Sequence, residues 1–288
     1  MHNSLKTGCL AALLLVMVLT GRGQTNCSLF TDSNKVKACR FYNLSDNYAQ
    51  GTRACENILD SALYYWPGYA EAWHEKSVPY LKRGDFFTWR KYVDKAVALK
   101  PLEYLGVRAW CRFKFLHDYE GALNDLVKLD TLTQFNPGQS GDGSYDLHIV
   151  MALSERELGY YKKAFHYFSI GIDTVLRQKG IQWVGLYDYL HRAVMRMRVK
   201  DYAGALSDLA KQIDKYSKFA ETYYYQGQVL VLTGHPVEAR KAFEKSKRLF
   251  ISEGYHLTDP YCEMPDAVYL EEIEEALSGI KATPGIFP

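Results

Sequence analysis

The chain has 288 residues, 48% of them hydrophobic, and a net charge of +2 from 35 basic and 33 acidic side chains. That apolar content is enough to bury a core, which excludes a disordered chain. The even charge balance excludes a nucleic-acid binder built on a concentrated basic face.

Residues 1–23 read as a secretory signal peptide. Lys6 supplies the positive start, Leu10 to Leu19 an apolar run too short to span a bilayer, and Gly21-Arg22-Gly23 the small residues of a cleavage site. The mature chain is therefore expected to be exported, periplasmic or secreted, with no integral membrane span. Membrane association through an uncleaved N-terminus or a lipid on Cys27 is the alternative. Five cysteines follow: Cys27, Cys39, Cys55, Cys111 and Cys262. An oxidising compartment permits disulfides, and the odd number leaves at least one thiol over. Cys39 and Cys55 are the expected pair, because they lie on consecutive segments of a predicted helical hairpin; buried free thiols on helices are the alternative.

Residues 24–45 carry little pattern. From Tyr48 to Tyr65 a helix is predicted, with Cys55, Ile58, Leu59 and Ala62 on one face. Trp66-Pro67-Gly68 ends it. Ala70 to Pro101 reads as two helices around a Gly84-Asp85 turn, with Trp73, Tyr80, Trp89, Val93 and Ala96 facing inward and Pro101 closing the unit. The next pair covers about 103–133, with Leu105, Ala109, Trp110 and Phe113, then the turn at His117, then Ala122, Leu126 and Leu129. Residues 134–144 are rich in Gly, Pro and Ser and read as an inert surface insertion. They lack the Lys-Ser/Thr of a phosphate loop and the several oxygen ligands of an EF-hand. Further pairs cover about 145–176, 187–217 and 220–251.

The turns set the period. Those beginning at Gly84, His117, Gly159, Lys200 and Gly234 are 33, 42, 41 and 34 residues apart. Five residues past each start stand Trp89, Ala122, Ala164, Ala205 and Ala239. A small residue there suits two helices that cross closely. Beyond Gly254 the chain kinks at Asp259-Pro260 and Met264-Pro265. Pro265 is expected to open a last helix with Leu270, Ile273 and Leu277 on its apolar stripe and Gly279 at its end.

This pattern of aromatic, apolar, small and large core residues resembles the tetratricopeptide repeat, whose period is about 34 residues. The best match is Tyr223, Gly227, Leu230, Ala239 and Phe243. Lys76 and Ser77 stand where the family has Leu-Gly, and Trp89 where it has Ala. The resemblance covers about residues 46–251. It implies an all-α, right-handed α-solenoid of stacked antiparallel helix pairs, with an N-terminal segment at 24–45, an array at 46–253, and a capping helix and tail at 254–288. Proteins of this family hold a partner's peptide on a concave face lined by first helices. Carried over place by place, the partner-binding residues are His74, Tyr104, Arg108, Asp146, Tyr187, His191, Tyr224 and Gln228. This row lacks the Lys/Asn/Arg clamp that some members use on a C-terminal carboxylate.

Catalytic patterns are not found. His74-Glu75 starts like a zinc-protease helix, but Val78 takes the place of the second His. No G-x-S-x-G occurs. No catalytic residue, metal ligand or cofactor is assigned, and no nucleic-acid partner is expected. The expectation is a non-enzymatic module that binds a protein or peptide. The alternatives are a structural subunit of a cell-envelope or secretion complex, and a glycan-binding protein.

Overall fold

The computed structural model describes residues 24–280, so the predicted signal peptide lies outside the described residues. Among those residues there is no strand, and no helix is long and apolar enough to cross a membrane. The described residues divide into two units, 24–72 and 73–280.

In the first unit, helix α1 (Ser33–Ser45) packs on α2 (Arg53–Tyr65). Residues 33–45 are helical despite their weak pattern, because the Asp32 carboxylate caps the backbone N–H groups of Asn34 and Lys35. α2 starts later than predicted, where the Thr52 hydroxyl accepts the N–H of Cys55. The expected Cys39–Cys55 disulfide does not form. Cys39 bonds to Cys27 across a Cα–Cα distance of 5.6 Å, and Cys55 is a buried free thiol. The reason is local. Asn43 binds both the N–H and the carbonyl of Thr25, which folds the segment carrying Cys27 back onto α1.

The second unit stacks five helix pairs: α3 (Ala70–Lys82) with α4 (Phe86–Leu99), α5 (Pro101–Cys111) with α6 (Tyr119–Leu132), α7 (Leu147–Glu157) with α8 (Tyr161–Phe168), α9 (Val175–Lys179) continuing from α8 through a π-helical stretch, α10 (Asp188–Arg198) with α11 (Tyr202–Lys215), and α12 (Ala220–Leu232) with α13 (Pro236–Arg248). The two long intervals in the period are the loop between α6 and α7 and the bridge between α9 and α10. Each turn is built alike. Its first residue is left-handed, with φ of 76° at Gly84, 51° at His117, 81° at Gly159, 62° at Lys200 and 82° at Gly234. Glycine takes that conformation without a Cβ penalty. His117 reaches it because the last turn of α5 widens into a π-turn, closed by the Asp118 N–H on the Arg112 carbonyl. Asp85, Asp118 and Asp201 then cap the second helices. Trp89, Ala122, Ala164, Ala205 and Ala239 are all buried.

Two prolines act differently from expectation. Pro101 opens α5 at its first position, where a missing N–H costs nothing, rather than closing the unit before it. Pro265 opens no helix. The last helix, α14 (Leu270–Gly279), starts five residues later, where the Tyr269 N–H donates to the Glu272 carboxylate. It packs on α13 through the buried Ile273, and Arg240 holds its end at the Ile280 carbonyl.

A candidate partner-binding face, already occupied

Between α13 and α14 the chain runs without a helix from Gly254 to Tyr269. This strap lies against the first helices α5, α7, α10 and α12, the elements expected to receive a partner. Gly254 begins it at a place with no room for a side chain, since a Cβ would meet the Lys218 carbonyl oxygen at 2.3 Å. Tyr255 then pairs with the chain ahead of α12. Its N–H donates to Lys218 and its carbonyl accepts from Ala220, both at 2.9 Å. The Leu257 N–H donates to Glu221 Oε1 at 2.6 Å. The Leu257 side chain joins a core of Leu190, Ala193, Ala205, Leu209 and Val229. Burying one such side chain contributes about 1.5–3 kcal/mol.

The strap next reaches the end of α5. Asp259 pairs with Lys114 Nζ at 2.8 Å, and Asp142 of the 134–144 loop meets the same ammonium at 3.4 Å. Burial pushes the Lys114 ammonium down, but the two carboxylates outweigh it and raise its pKa. The loop thus contributes a charge to this junction.

The chain then turns back at Asp266, a residue with φ of 59°. Its carboxylate accepts from Arg156 Nη1 at 2.8 Å and from His191 Nδ1 at 2.6 Å. On the far side of the imidazole the Tyr145 hydroxyl lies 3.1 Å from Nε2. Burial raises the Asp266 carboxyl, but the Arg156 charge and the His191 bond outweigh it and hold it well below the usual carboxylate range. Burial dominates at His191 and lowers its pKa. The network therefore carries an ionised aspartate, a guanidinium and a neutral imidazole. Nδ1–H donates to Asp266 and Nε2 accepts from Tyr145, an assignment made from the hydrogen-bond partners.

The eight residues predicted to contact a partner do not form one exposed row. His191 is completely buried under the strap. Arg108 is a tie between pairs: Nε and Nη2 grip Asp125 on α6 at 2.8 and 2.5 Å, and Nη1 reaches back to Asp94 on α4 at 2.6 Å. Asp146 caps α7 through the His148 N–H. Tyr187 and His191 do come together with Tyr145, their ring centroids 5.5–6.4 Å apart. Tyr224 accepts from Gln228 at 3.0 Å and packs on Phe243. His74 packs on Tyr104, a buried ring, at 5.0 Å.

Arg156, Asp266, Glu221 and Lys114 escaped the sequence reading. For Arg108 a signal did exist. Arg108, Arg112 and Asp125 recur as Arg192, Arg196 and Asp208, and Arg192 likewise grips Asp208 on α11 while reaching Asp173 of the preceding pair at 2.9 Å. The spacing from second arginine to aspartate is one residue longer in the earlier pair, which carries the π-turn. Among the described residues no group of His, Cys, Asp and Glu is placed to hold a metal ion.

No protein-family model matches the sequence, and no curated protein matches it. Solved structures do. PilW, a type IV pilus biogenesis factor, matches at 14% identity and TM-score 0.57 over 75% of this chain and 96% of its own. Pseudomonas aeruginosa PilF matches at 16% identity and TM-score 0.56, covering 77% and 95%. Cut9, solved in the APC/C Cut9–Hcn1 hetero-tetramer, matches at 14% identity and TM-score 0.55, covering 85% of this chain and 43% of its own. All are tetratricopeptide-repeat proteins. At these identities the likeness is one of fold: the chain is an all-α helical-repeat solenoid of tetratricopeptide type.

Proposed function

We propose that this protein is a non-enzymatic interaction module that holds an extended segment of a partner protein on its first-helix face. One observation carries the reading: that face already holds an extended segment, the strap, by main-chain hydrogen bonds, a leucine slot and a buried carboxylate contact. A surface that binds sixteen residues of its own chain (254–269) in this manner has the chemistry to bind another chain's. The Cys27–Cys39 disulfide supports an exported protein, since such bonds persist in oxidising compartments.

The test is a photo-reactive amino acid placed at Gln228 on α12, or at the exposed Phe87 as a control, in the full chain expressed in its native cells. The expected outcome is a cross-link from position 228 to one mapped segment of a second protein, absent from position 87. Cross-links at position 228 that lead only into this chain would remove the reading.

A second reading, a structural subunit of an envelope assembly, is favoured by a different surface. Leu176, Ile181, Trp183 and Leu186, in and beside the bridge before α10, are exposed. Leu176 and Ile181 also line an open cavity of 590 Å³ with Gln182, Tyr189, Lys211, Asp214 and Lys215, to which the strap contributes nothing. PilW and PilF, likewise solenoids, lend it support by analogy alone. Under this reading Trp183→Ser would release the protein from a stable complex.

A further inference from the structure

We infer that Arg156 and His191 form a receptor for a side-chain carboxylate of an extended partner segment, and that Asp266 occupies it in cis until such a segment displaces the strap. The inference rests on the interaction reading above and names the chemistry that the face selects.

The receptor is preorganised by the array. Arg156 comes from α7 and His191 from α10, and their side chains are 2% and 0% exposed. Tyr145 fixes the imidazole from behind, the His191 carbonyl accepts from Arg156 Nη1 at 3.3 Å, and Glu157 holds the other side of the guanidinium. Only the carboxylate arrives from far along the sequence, 110 residues from Arg156 and 75 from His191. A buried guanidinium deprived of it bears a desolvation cost with one of its two carboxylate partners gone. The site therefore demands a carboxylate, from whichever chain supplies it.

Of the other holds on the strap, the Asp259–Lys114 pair reads a charge and the rest do not read sequence. The bridge at Tyr255 and the Leu257 N–H bond use main-chain groups, which any extended segment offers. The leucine slot asks only for an apolar side chain. Discrimination falls to the two carboxylates, and Asp266, 4% exposed against 16% for Asp259, meets the more buried receptor.

The strap is also an incomplete occupant. A cavity of 210 Å³ remains beside Asp266, walled by Phe113, Tyr119 and Met264 and by the charged side chains of Arg156, Glu157 and Arg198. That is room for several water molecules at about 30 Å³ each. A partner segment with a bulkier side chain just ahead of its acidic residue would fill this space and outcompete the strap.

The test uses the full chain and a fluorescein-labelled synthetic peptide copying residues 255–269, with Cys262→Ser to avoid oxidation. Binding is measured to the wild type and to Asp266→Asn, with a second peptide carrying Asn at the Asp266 position. Opening the receptor raises the binding-competent fraction, so the Asp266→Asn protein should bind the acidic peptide about tenfold more tightly than wild type does. The Asn peptide should lose about the same factor. Equal binding of the two peptides, or of the two proteins, overturns the inference. If Asp266→Asn loses its helical circular dichroism, the wild type decides. Excess acidic peptide should speed amide exchange across residues 255–268 and the Asn peptide should not; equal exchange with both overturns the inference. A position-228 cross-link to a partner that survives such a result would leave the interaction reading standing without this receptor.

Discussion

Asp188 and Glu221 lie in the first turns of α10 and α12, each buried. One oxygen of each accepts a backbone N–H, from Gly185 at 2.7 Å and from Leu257 at 2.6 Å. The other oxygen of each is buried with no hydrogen-bond partner among the described residues. A helix N-terminus favours an anion, but here desolvation wins and pushes both carboxyls up to about 7. The sign follows from linkage. The unfolded chain ionises Glu221 near 4.5 and the folded one near 7, so the stability from this group is full below the first value and is lost as pH rises through the second. Each pKa unit is about 1.4 kcal/mol, so Glu221→Gln should remove about 3 kcal/mol of pH-dependent loss. Urea denaturation of both proteins at about pH 5 and about pH 8 reads it, and parallel pH slopes would refute it. A second residue-scale prediction concerns Gly227, where a Cβ would meet the Phe243 ring at 2.6 Å. Phe243 is 1% exposed and has nowhere to move. Gly227→Ala should cost about 1–3 kcal/mol in a denaturant midpoint.

At the scale of the element, the repeated arginine ties decide how pairs are joined. Arg192 and Asp208 are 3% and 2% exposed, and Asp208 also accepts from Arg196 Nε at 2.8 Å. Asp208→Ala leaves two guanidinium groups without their main partner and should cost about 3–5 kcal/mol. Asp94, 42% exposed, supports Arg108 from the solvent side, and Asp94→Ala should cost no more than about 1 kcal/mol. Similar midpoint shifts for the two would contradict this account. The disulfide makes a further test inside the first unit. It closes a loop between residues 12 apart, and Cys27→Ser with Cys39→Ser should cost about 3 kcal/mol, read as faster amide exchange in α1. These elements also mark what the sequence discloses. Left-handed turn residues, capping aspartates and the buried alanine column are written locally, within a few residues of where they act, and periodicity reveals them. His191 is not written that way, and Arg108 only in part, through the recurrence of its arginine–aspartate set. Arg108 takes its role from Asp125 on the next helix, and His191 from Asp266, 75 residues on. A place-by-place transfer from a repeat family put both on an open face, because the family pattern contains neither the arginine tie that holds Arg108 nor the strap that covers His191.

Across the second unit, the strap changes the physics of a repeat array. Stacked pairs normally couple only to their neighbours, so such chains fray from their ends and open in pieces. Here one segment leaving α13 touches the end of α5 through Asp259, α7 and α10 through Asp266, and the start of α12 through Tyr255 and Leu257. It then returns through α14 to α13. To open α12 and α13 alone, the molecule must also extract Asp266 from its buried ion pair, at about 3–5 kcal/mol. That cost ties the local opening of the last pair to the opening of α7 and α10. Native-state hydrogen exchange resolves such units by their opening free energies. In the wild type, α7, α10 and α12 should exchange together. In Asp266→Ala the amides of α12 and α13 should exchange at a lower opening free energy than those of α5 and α6, which keep the Arg108 tie. If the variant retained one common opening, neighbour contacts alone would be holding the array together, and the strap would be a passenger on it.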